Sequence, residues 1–319
     1  MGNIWEDKKV IEIIKFLKDN KRTVQFQNKV VPKFVFVCGK QILDDDGNIF
    51  SDEQLRDNIR YYILNSLDKK IKNIDYGRKI KLVSGVVSEK LYQQDWAEDI
   101  LSFEELLADI SEYIVIVVES EGTYCELGAF VMNDDFMKKT IIINSDNPAY
   151  AKSFITRGPI KKVKDKNPER VILHNGISRI RTSTEFNEKL NELAAGSVPI
   201  KPNNNIEELS LKYLIYEFAN IVELFQPLEE YEIQKIYKNI YDIETYDIKN
   251  RNKNKIRTFK QVIELMENMD LITKKNGMCY LKEDNTFYNV ISNINRRKFN
   301  ELRVKYLSRI YKLQPERME

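Results

Sequence analysis

Short apolar runs alternate with amphipathic segments across the first two hundred residues of the chain. The runs that predict strands are Phe34–Cys38, Lys79–Val87, Ile114–Val118, Thr140–Ile143 and Val171–Leu173. Between them lie segments with helical periodicity, such as the one that places Leu55, Ile59 and Ile63 on one face. Strands that alternate with helices over one domain length favour a parallel sheet joined by right-handed crossovers. The pattern therefore predicts a doubly wound, mostly parallel α/β domain over residues 1–200, with an amphipathic helix at residues 4–19.

The pattern changes after Gly196–Asn205, where two prolines and three consecutive asparagines are typical of a linker. Helical periodicity then covers Ile206–Phe225, Tyr231–Tyr241, Lys249–Asn268 and, near the end of the chain, Phe287–Leu313. The pair Asn276-Gly277 stands between two short β-prone runs and predicts a hairpin. Helices followed by a hairpin are the plan of a winged helix, so residues 206–319 are predicted to form a second, mainly helical domain.

The run Ile114–Val118 is followed by polar residues and then by a helical pattern. Glu119 to Thr123 are predicted to form a short loop, and a helix that begins at Tyr124 would carry Glu126 in its first turn. Ligands of parallel sheets bind beyond the carboxyl ends of the strands, and amides at a helix start favour anions. The helix dipole would keep Glu126 ionised, so this stretch predicts a ligand site that is built around a carboxylate.

A second carboxylate precedes the same strand. Ser102 is predicted to cap a helix with Glu105 as its partner, which would place Glu104 in the first turn. Gly39 directly follows the predicted strand Phe34–Cys38 and suits close approach of the backbone to a ligand. A simple turn glycine is the alternative that the residues leave open.

Composition narrows the chemistry. The chain has 51 Lys and Arg residues against 49 Asp and Glu residues, and its formal net charge of +2 argues against a global polyanion-binding field. The three cysteines are far apart and fit neither a disulfide framework nor a metal site. The single histidine, His174, is interpreted as structural, so neither a Ser-His nucleophile nor a His-rich metal centre is expected. No metal and no bound cofactor are predicted, and the lack of a signal peptide or membrane-spanning run predicts a cytoplasmic protein.

Several motifs together resemble a known family. The segment Cys125–Phe130, which reads CELGAF, resembles the nucleoside 2-deoxyribosyltransferase-like fold, in which the Glu of a Glu-Leu-Gly helix start is the nucleophile. Together with Phe36–Gly39, Leu101–Glu104 and Ser153–Pro159, it more closely resembles the effector proteins of bacterial retrons. These are anti-phage toxin modules with that fold and a C-terminal winged-helix domain. The motif resemblance covers about residues 30–165.

The resemblance implies roles for particular residues. Glu126 would be the nucleophile, and Glu104 the second carboxylate, which contacts sugar hydroxyls or the base. The predicted substrate-binding residues are Cys38, Gly39, Ser120, Gly122 and Thr123. Cys125 is interpreted as a small packing residue rather than a thiolate nucleophile. Deoxyribosyltransferases usually carry Asp where this chain has Ser120, and retron-like effectors often carry Pro where it has Glu121; the first departure puts base exchange in doubt.

The leaving group favours one substrate. An N-glycosidic bond breaks through an oxocarbenium-like centre that a carboxylate can stabilise or trap. An ordinary base needs a proton to leave, whereas the nicotinamide of NAD is already a cation and departs neutral. NAD is therefore predicted as the substrate, not as a cofactor, of an N-glycosidase that acts as a defence toxin. Two alternatives stay open: a nucleoside deoxyribosyltransferase, and a DNA-binding regulator that senses a nucleotide without turnover.

The C-terminal domain contains a basic run without acids, Lys249–Lys260. The predicted contacts with nucleic-acid phosphates are Lys255, Arg257 and Lys260 in this run, with Lys274 and Lys275 of the hairpin. A solvated loop is the alternative interpretation of the run. The resemblance implies a retron reverse transcriptase with its RNA-linked DNA as the partner and no membrane partner, and it leaves assembly into a homo-oligomer or filament open.

Overall fold

The chain divides into two compact units. A computed structural model describes residues 3–20, 30–31, 34–44, 46, 48–73, 81–84, 99–194, 198–199, 211–242, 258–282 and 294–318. The first unit, here called the α/β unit, lies within Pro32–Ser197. The second, the helical unit, combines Met1–Val31 with Val198–Glu319. Parts of the predicted elements, at residues 79–80, 85–98, 206–210, 249–257 and 287–293, lie outside the described residues.

The elements alternate as the sequence predicts. The strands of four or more residues are β1 (Phe34–Cys38), β2 (Lys81–Ser84), β3 (Tyr113–Val118), β4 (Thr140–Ser145), β5 (Val171–His174), β6 (Ile272–Lys275) and β7 (Met278–Leu281), and two short segments, Val30–Val31 and Val198–Pro199, pair antiparallel. The helices are α1 (Lys8–Asp19), α2 (Asp52–Leu55), α3 (Ile59–Asn73), α4 (Ile100–Ile110), α5 (Glu121–Met132), α6 (Asp134–Met137), α7 (Lys161–Lys166), α8 (Ile177–Thr182), α9 (Thr184–Ala194), α10 (Leu211–Phe225), α11 (Glu230–Tyr241), α12 (Phe259–Asn268) and α13 (Arg296–Leu313). Among the described residues, no helix combines the length and apolar character needed to cross a membrane.

A five-stranded sheet forms the centre of the α/β unit. Its strands lie in the order β2-β1-β3-β4-β5, and each neighbouring pair is parallel. Successive side chains of a strand point to opposite faces of the sheet. On one face Val35 and Val37 of β1 pack with residues of α3, α8 and α9. On the other face the ring of Phe36 contacts that of Phe130 of α5 edge to face, with 6.2 Å between the ring centroids. The predicted parallel sheet with helices on both faces is confirmed.

The strand order creates a topological switch point at the carboxyl ends of β1 and β3. β1 and β3 are neighbours in space, but β1 leads into α3 on one face and β3 leads into α5 on the other. Adjacent strands whose connections leave in opposite directions form a topological switch point, where ligands of open α/β sheets bind. A ligand site is therefore expected at the segments that follow Cys38 and Val118.

The N-terminal helix belongs to the helical unit, which corrects its assignment to an α/β domain of residues 1–200. Val10, Ile13 and Leu17 of α1 are buried, and this helix contacts α11 and α13. Asp7 caps α1 and also accepts a hydrogen bond from Nε of Arg309 at 3.0 Å. The sequence predicted the apolar face of α1. Which unit this face packs against depends on contacts with residues that are distant along the chain.

A fully buried carboxylate joins three distant parts of the helical unit. Glu232 is 0% exposed and accepts hydrogen bonds from Nε1 of Trp5 at 2.5 Å and from Nη1 and Nη2 of Arg317 at 2.7 and 2.9 Å. It also accepts from the backbone N–H of Glu229 at 2.9 Å. A buried charge is tolerated only when it is paired and hydrogen-bonded, so this contact holds the N-terminal and C-terminal segments together on α11.

The predicted hairpin is confirmed. β6 pairs antiparallel with β7, and Asn276 and Gly277 have φ angles of 50° and 77°, the left-handed backbone that a two-residue hairpin turn requires. The helices α10, α11 and α12 precede this hairpin and α13 follows it.

We expect Arg317→Ala to lower the free energy of unfolding of the helical unit by about 3 kcal/mol, because it leaves a buried carboxylate without its cation. Lys312→Ala, at an exposed position of α13, should change it by less than about 0.5 kcal/mol. Urea unfolding followed by circular dichroism measures both. Equal effects of the two substitutions would show that the buried pair is not the stabilising contact.

Candidate active site

The helix after β3 begins earlier than the sequence pattern indicates. Ser120 is its N-cap: the Ser120 side chain accepts from the backbone N–H of Thr123, and the Thr123 hydroxyl accepts from the N–H of Ser120, which forms a capping box. α5 therefore starts at Glu121, and only Glu119 and Ser120 separate it from β3. Glu126 lies in the second turn, not the first. Because the effect of the helix dipole fades beyond the first turn, Glu126 depends more on its neighbours than on the dipole.

Thr123 and Gly122, both predicted to bind substrate, have different surroundings. The Thr123 hydroxyl accepts hydrogen bonds from the N–H groups of Glu119 and Ser120 and donates to the carbonyl of Ser120 at 2.8 Å. Its side chain is 1% exposed, so Thr123 shapes the loop from within. Gly122 is exposed, and no atom lies within 4 Å of the position that a Cβ would take. Open space therefore adjoins the first turn of α5.

Glu126 meets the end of the neighbouring strand through a thiol. Cys38, the last residue of β1, is 1% exposed, and its thiol is hydrogen-bonded to the Glu126 carboxylate. Burial, followed by the charges of Glu126 and Glu104, raises the pKa of Cys38 well above its usual range. The neutral thiol is thus the donor of this bond. Cys38 orients the carboxylate rather than serving as a thiolate nucleophile.

Glu104 of α4 also lies close enough to Cys38 for its charge to act on the thiol. It is 6% exposed. Asp99, not Ser102, is the N-cap of α4, because the Asp99 carboxylate accepts from the backbone N–H of Ser102 at 2.6 Å and from its hydroxyl at 2.7 Å. Glu104 therefore lies in the second turn rather than the first, as a residue of the buried face of the helix.

The far end of α4 is also fixed. Nζ of Lys139 donates to the carbonyls of Ala108 and Ser111 at 2.5 and 2.8 Å. These carbonyls end the helix, where a cation is favourable. Lys139, which directly precedes β4, thus ties the end of α4 to the sheet and helps to fix the position of Glu104 from outside the site.

Arg60 completes the site and was not singled out from the sequence. It lies in the first turn of α3 and is 3% exposed. Its Nη1 donates to the carbonyls of Gly39 and Lys40 at 3.2 and 3.5 Å, and its charge acts on Cys38. We call Cys38, Glu104, Glu126 and Arg60 the glutamate cluster. A cation is unfavourable at a helix start, and this mismatch is the one signal in the sequence that marks Arg60.

Gly39 lacks a side chain for a reason other than ligand approach. A Cβ at this position would lie 2.7 Å from Cβ of Arg60, closer than two such atoms can approach. The next residue, Lys40, donates its N–H to Oε1 of Glu119 at 3.1 Å and so links the segments after β1 and β3. Burial is the largest effect on Glu119 and raises its pKa.

Two other reactive residues lie apart from these contacts. Nδ1 of His174 accepts from the backbone N–H of Gly176 at 3.0 Å, and burial lowers the pKa of His174, which supports the structural interpretation. Cys125 is exposed, so the interpretation of Cys125 as a packed residue was wrong. In the described part of the chain, no group of His, Cys, Asp and Glu side chains is arranged to hold a metal ion.

The predicted nucleic-acid contacts differ in their environment. Lys255 and Arg257 lie outside the described residues. Lys260 pairs with Glu264 at 3.6 Å, and Lys274 forms salt bridges with Glu230 and Glu267, which raise the pKa of Lys274 against the opposing effect of burial. Lys275 is exposed at the hairpin turn. The charge of Lys274 is largely compensated within the helical unit, whereas that of Lys275 faces solvent.

Comparisons with known proteins show which proteins the chain is similar to. The model of the STM3845 retron effector protein family matches residues 56–274, which include Arg60, Glu104 and Glu126 but not Cys38. The "Retron Ec73 putative ribosyltransferase/DNA-binding protein" of Escherichia coli is 25% identical over 240 residues, which are 69% of this chain and 70% of that protein. The "Retron Ec86 putative ribosyltransferase/DNA-binding protein" of the same species is 34% identical over 73 residues, which are 23% of this chain and 24% of that protein.

Two glycines of the site give a matched test of its packing. We expect Gly39→Ala to lower the free energy of unfolding of the α/β unit by about 1–3 kcal/mol, because the new methyl group overlaps Arg60. Gly122→Ala should leave it unchanged or raise it by up to about 1 kcal/mol, since the position is helical and open. Urea unfolding compares the two variants; a Gly39→Ala protein as stable as wild type would contradict the close contact.

Proposed function

Because the chain belongs to the STM3845 retron effector protein family, we propose that it is a retron defence effector whose α/β unit cleaves the nicotinamide–ribose bond of NAD. One observation carries the proposal: two carboxylates from different helices, Glu104 and Glu126, converge with Cys38 at the switch point of the sheet. Relatives whose names include ribosyltransferase support a reaction at the anomeric carbon of a ribose.

Glu126 is the proposed nucleophile. It is partly exposed beyond the carboxyl end of β3, and the Cys38 thiol orients its carboxylate. As the bond from C1′ of the ribose to the nicotinamide nitrogen breaks, nicotinamide leaves with the electron pair and becomes neutral, so no general acid is required. The carboxylate stabilises or traps the oxocarbenium-like centre, and water then completes hydrolysis to ADP-ribose with release of a proton.

Glu104 and the first turn of α5 would hold the substrate. The carboxylate of Glu104 suits hydrogen bonds from the ribose hydroxyls. Gly122 is an exposed residue of the helix start, where backbone amides suit an anionic phosphate, and no side chain occupies the space beside its Cα. Ser120 and Thr123 contribute by fixing the direction of these amides through the capping box.

The helical unit is the proposed contact with the rest of the retron. The order of α10, α11, α12, the hairpin and α13 supports the proposal of a winged-helix-like domain, and the names of the relatives include DNA-binding. We propose that it binds the RNA-linked DNA and reverse transcriptase of the retron. Lys275 at the hairpin turn is the best placed of the described candidates, since Lys260 and Lys274 face acidic side chains.

The catalytic proposal predicts that Glu126→Gln lowers nicotinamide release from NAD more than about 100-fold, because the amide cannot act as the nucleophile. Cys125→Ser, at the adjacent exposed position, should keep most of the activity. Release is followed by chromatography, with the retron partners present and absent. Full activity of Glu126→Gln would refute the mechanism. If a free acceptor base yields a new nucleoside, the enzyme is a transferase; tight nucleotide binding without turnover would indicate a regulator.

The binding proposal predicts that Lys275→Glu weakens association with the purified retron RNA–DNA by about tenfold at low salt, with a smaller loss at high salt. Reversal of Lys255, Arg257 and Lys260 together should weaken it further. Lys274→Met should mainly lower the free energy of unfolding of the helical unit, because it removes the salt bridges of Lys274 with Glu230 and Glu267. Electrophoretic mobility shifts at several salt concentrations measure the first two effects, and unchanged affinity in both would contradict the proposed surface.

A further inference from the structure

A buried arginine reaches the glutamate cluster from the opposite face of the sheet. Ile59 and Ile63 of α3 pack with Val35 and Val37 of β1, whereas α5, which carries Glu126, covers the other face. Arg60 passes from α3 over Gly39, where the missing side chain leaves the necessary gap. Glycine at the strand end therefore allows a cation from one face to act on Cys38, which faces the other side of the sheet together with Glu126.

Arg60 also fixes the segment that follows β1. It donates to the carbonyls of both Gly39 and Lys40. From the same helix start, Nδ2 of Asn58 donates to the carbonyl of Gln41 at 3.0 Å. Lys40 then donates its N–H to Glu119. Side chains at the start of α3 thus hold three consecutive carbonyls, and with them the end of the strand that presents Cys38 to Glu126.

The charge of Arg60 opposes the accumulation of negative charge. The charge of Arg60 acts on Cys38 of β1 and on Glu119 after β3, and the charges of Glu104 on α4 and Glu126 on α5 act on the same Cys38. Arg60 lowers the pKa of both Cys38 and Glu119, although burial dominates each and raises it. A guanidinium stays protonated across the physiological range and donates in fixed directions, so it suits both roles.

We propose that Arg60 is a positioning residue of the glutamate site: it anchors the segment 39–40, which holds Cys38 against Glu126, and its charge offsets that of the surrounding carboxylates. The kinetic consequences rest on the proposed function, whereas the anchoring role does not.

Thiol labelling tests the anchoring without any assumption about substrate. In the wild type, N-ethylmaleimide should modify exposed Cys125 and spare buried Cys38 and Cys279. Arg60→Met should increase the labelling rate of Cys38 at least about tenfold, because the loosened segment opens locally, while Cys279 stays protected. Arg60→Lys should give a smaller increase, and Arg179→Met, at an exposed position of the same unit, none. Peptide mapping by mass spectrometry resolves the three sites, and circular dichroism checks folding.

Kinetics test the electrostatic role. Arg60→Met should lower kcat for nicotinamide release at least about tenfold and move the acidic limb of the pH profile of kcat/KM upward by about one unit. The sign follows because loss of a nearby cation raises the pKa of a carboxylate, which is then protonated at higher pH. Arg60→Lys keeps the charge, so the acidic limb of its pH profile of kcat/KM should stay near that of the wild type. A purely structural role would reduce the amount of folded enzyme without moving this limb.

The outcomes separate the two proposals. The proposed role of Arg60 would be overturned if Arg60→Met folds, shows the wild-type labelling rate of Cys38 and keeps the acidic limb of the pH profile of kcat/KM in place. If Arg60→Met does not fold, Arg60→Lys decides, since wild-type labelling and wild-type kcat in that variant would equally overturn it. If the wild type releases no nicotinamide, the proposed function fails, and the labelling of Cys38 alone supports or overturns the anchoring by Arg60.

Discussion

The parallel pairing of β1 with β3 is the constraint on which the glutamate cluster depends. In this register Cys38 lies opposite Ile116, so the end of β1 comes beside the helix that follows β3, and the thiol meets Glu126. Successive residues of a strand face opposite sides of the sheet. A slip of one residue would turn Cys38 towards α3 and bury Val37 against α5. The apolar packing of both faces therefore sets the geometry of the site.

Much of this architecture is local enough to be read from the sequence. The five apolar runs predicted the strands of the parallel sheet because an uninterrupted β-branched segment such as Ile114–Val118 is buried on both faces. Asn276-Gly277 predicted the hairpin because few residue pairs adopt two consecutive positive φ angles. The position of Glu126 after a central strand predicted a site, since the switch point follows from strand order. These inferences use short segments whose conformation depends little on distant contacts.

Other features depend on choices between similar local signals or on distant contacts. The sequence pattern predicted Ser102 as the cap of α4 and a start of α5 at Tyr124. In the structure Asp99 and Ser120 cap these helices, so both helices start earlier and both glutamates lie in the second turn. In the sequence Arg60 is an ordinary charged residue of an amphipathic helix. Its partners are the backbone carbonyls of Gly39 and Lys40, which follow a strand and lie at least 20 positions away along the chain. The partner of α1 was invisible for the same reason: Arg309 is more than 300 positions from Asp7 along the chain.

Buried carboxylates alone do not identify a reactive site in this protein. Glu217, Glu223 and Glu232 in the helical unit are at most 2% exposed, and Glu232 is held by a bidentate arginine, an indole and a backbone amide. Such a carboxylate is closed off from ligands by its burial, and its partners occupy it with structural contacts. Glu126 differs in its place: the residue is partly exposed, although its Oε2 is buried, and it follows the carboxyl end of a central strand, where ligands of parallel sheets bind. Position at the switch point, rather than burial, therefore separates the carboxylate proposed to meet a substrate from those that only hold the fold together.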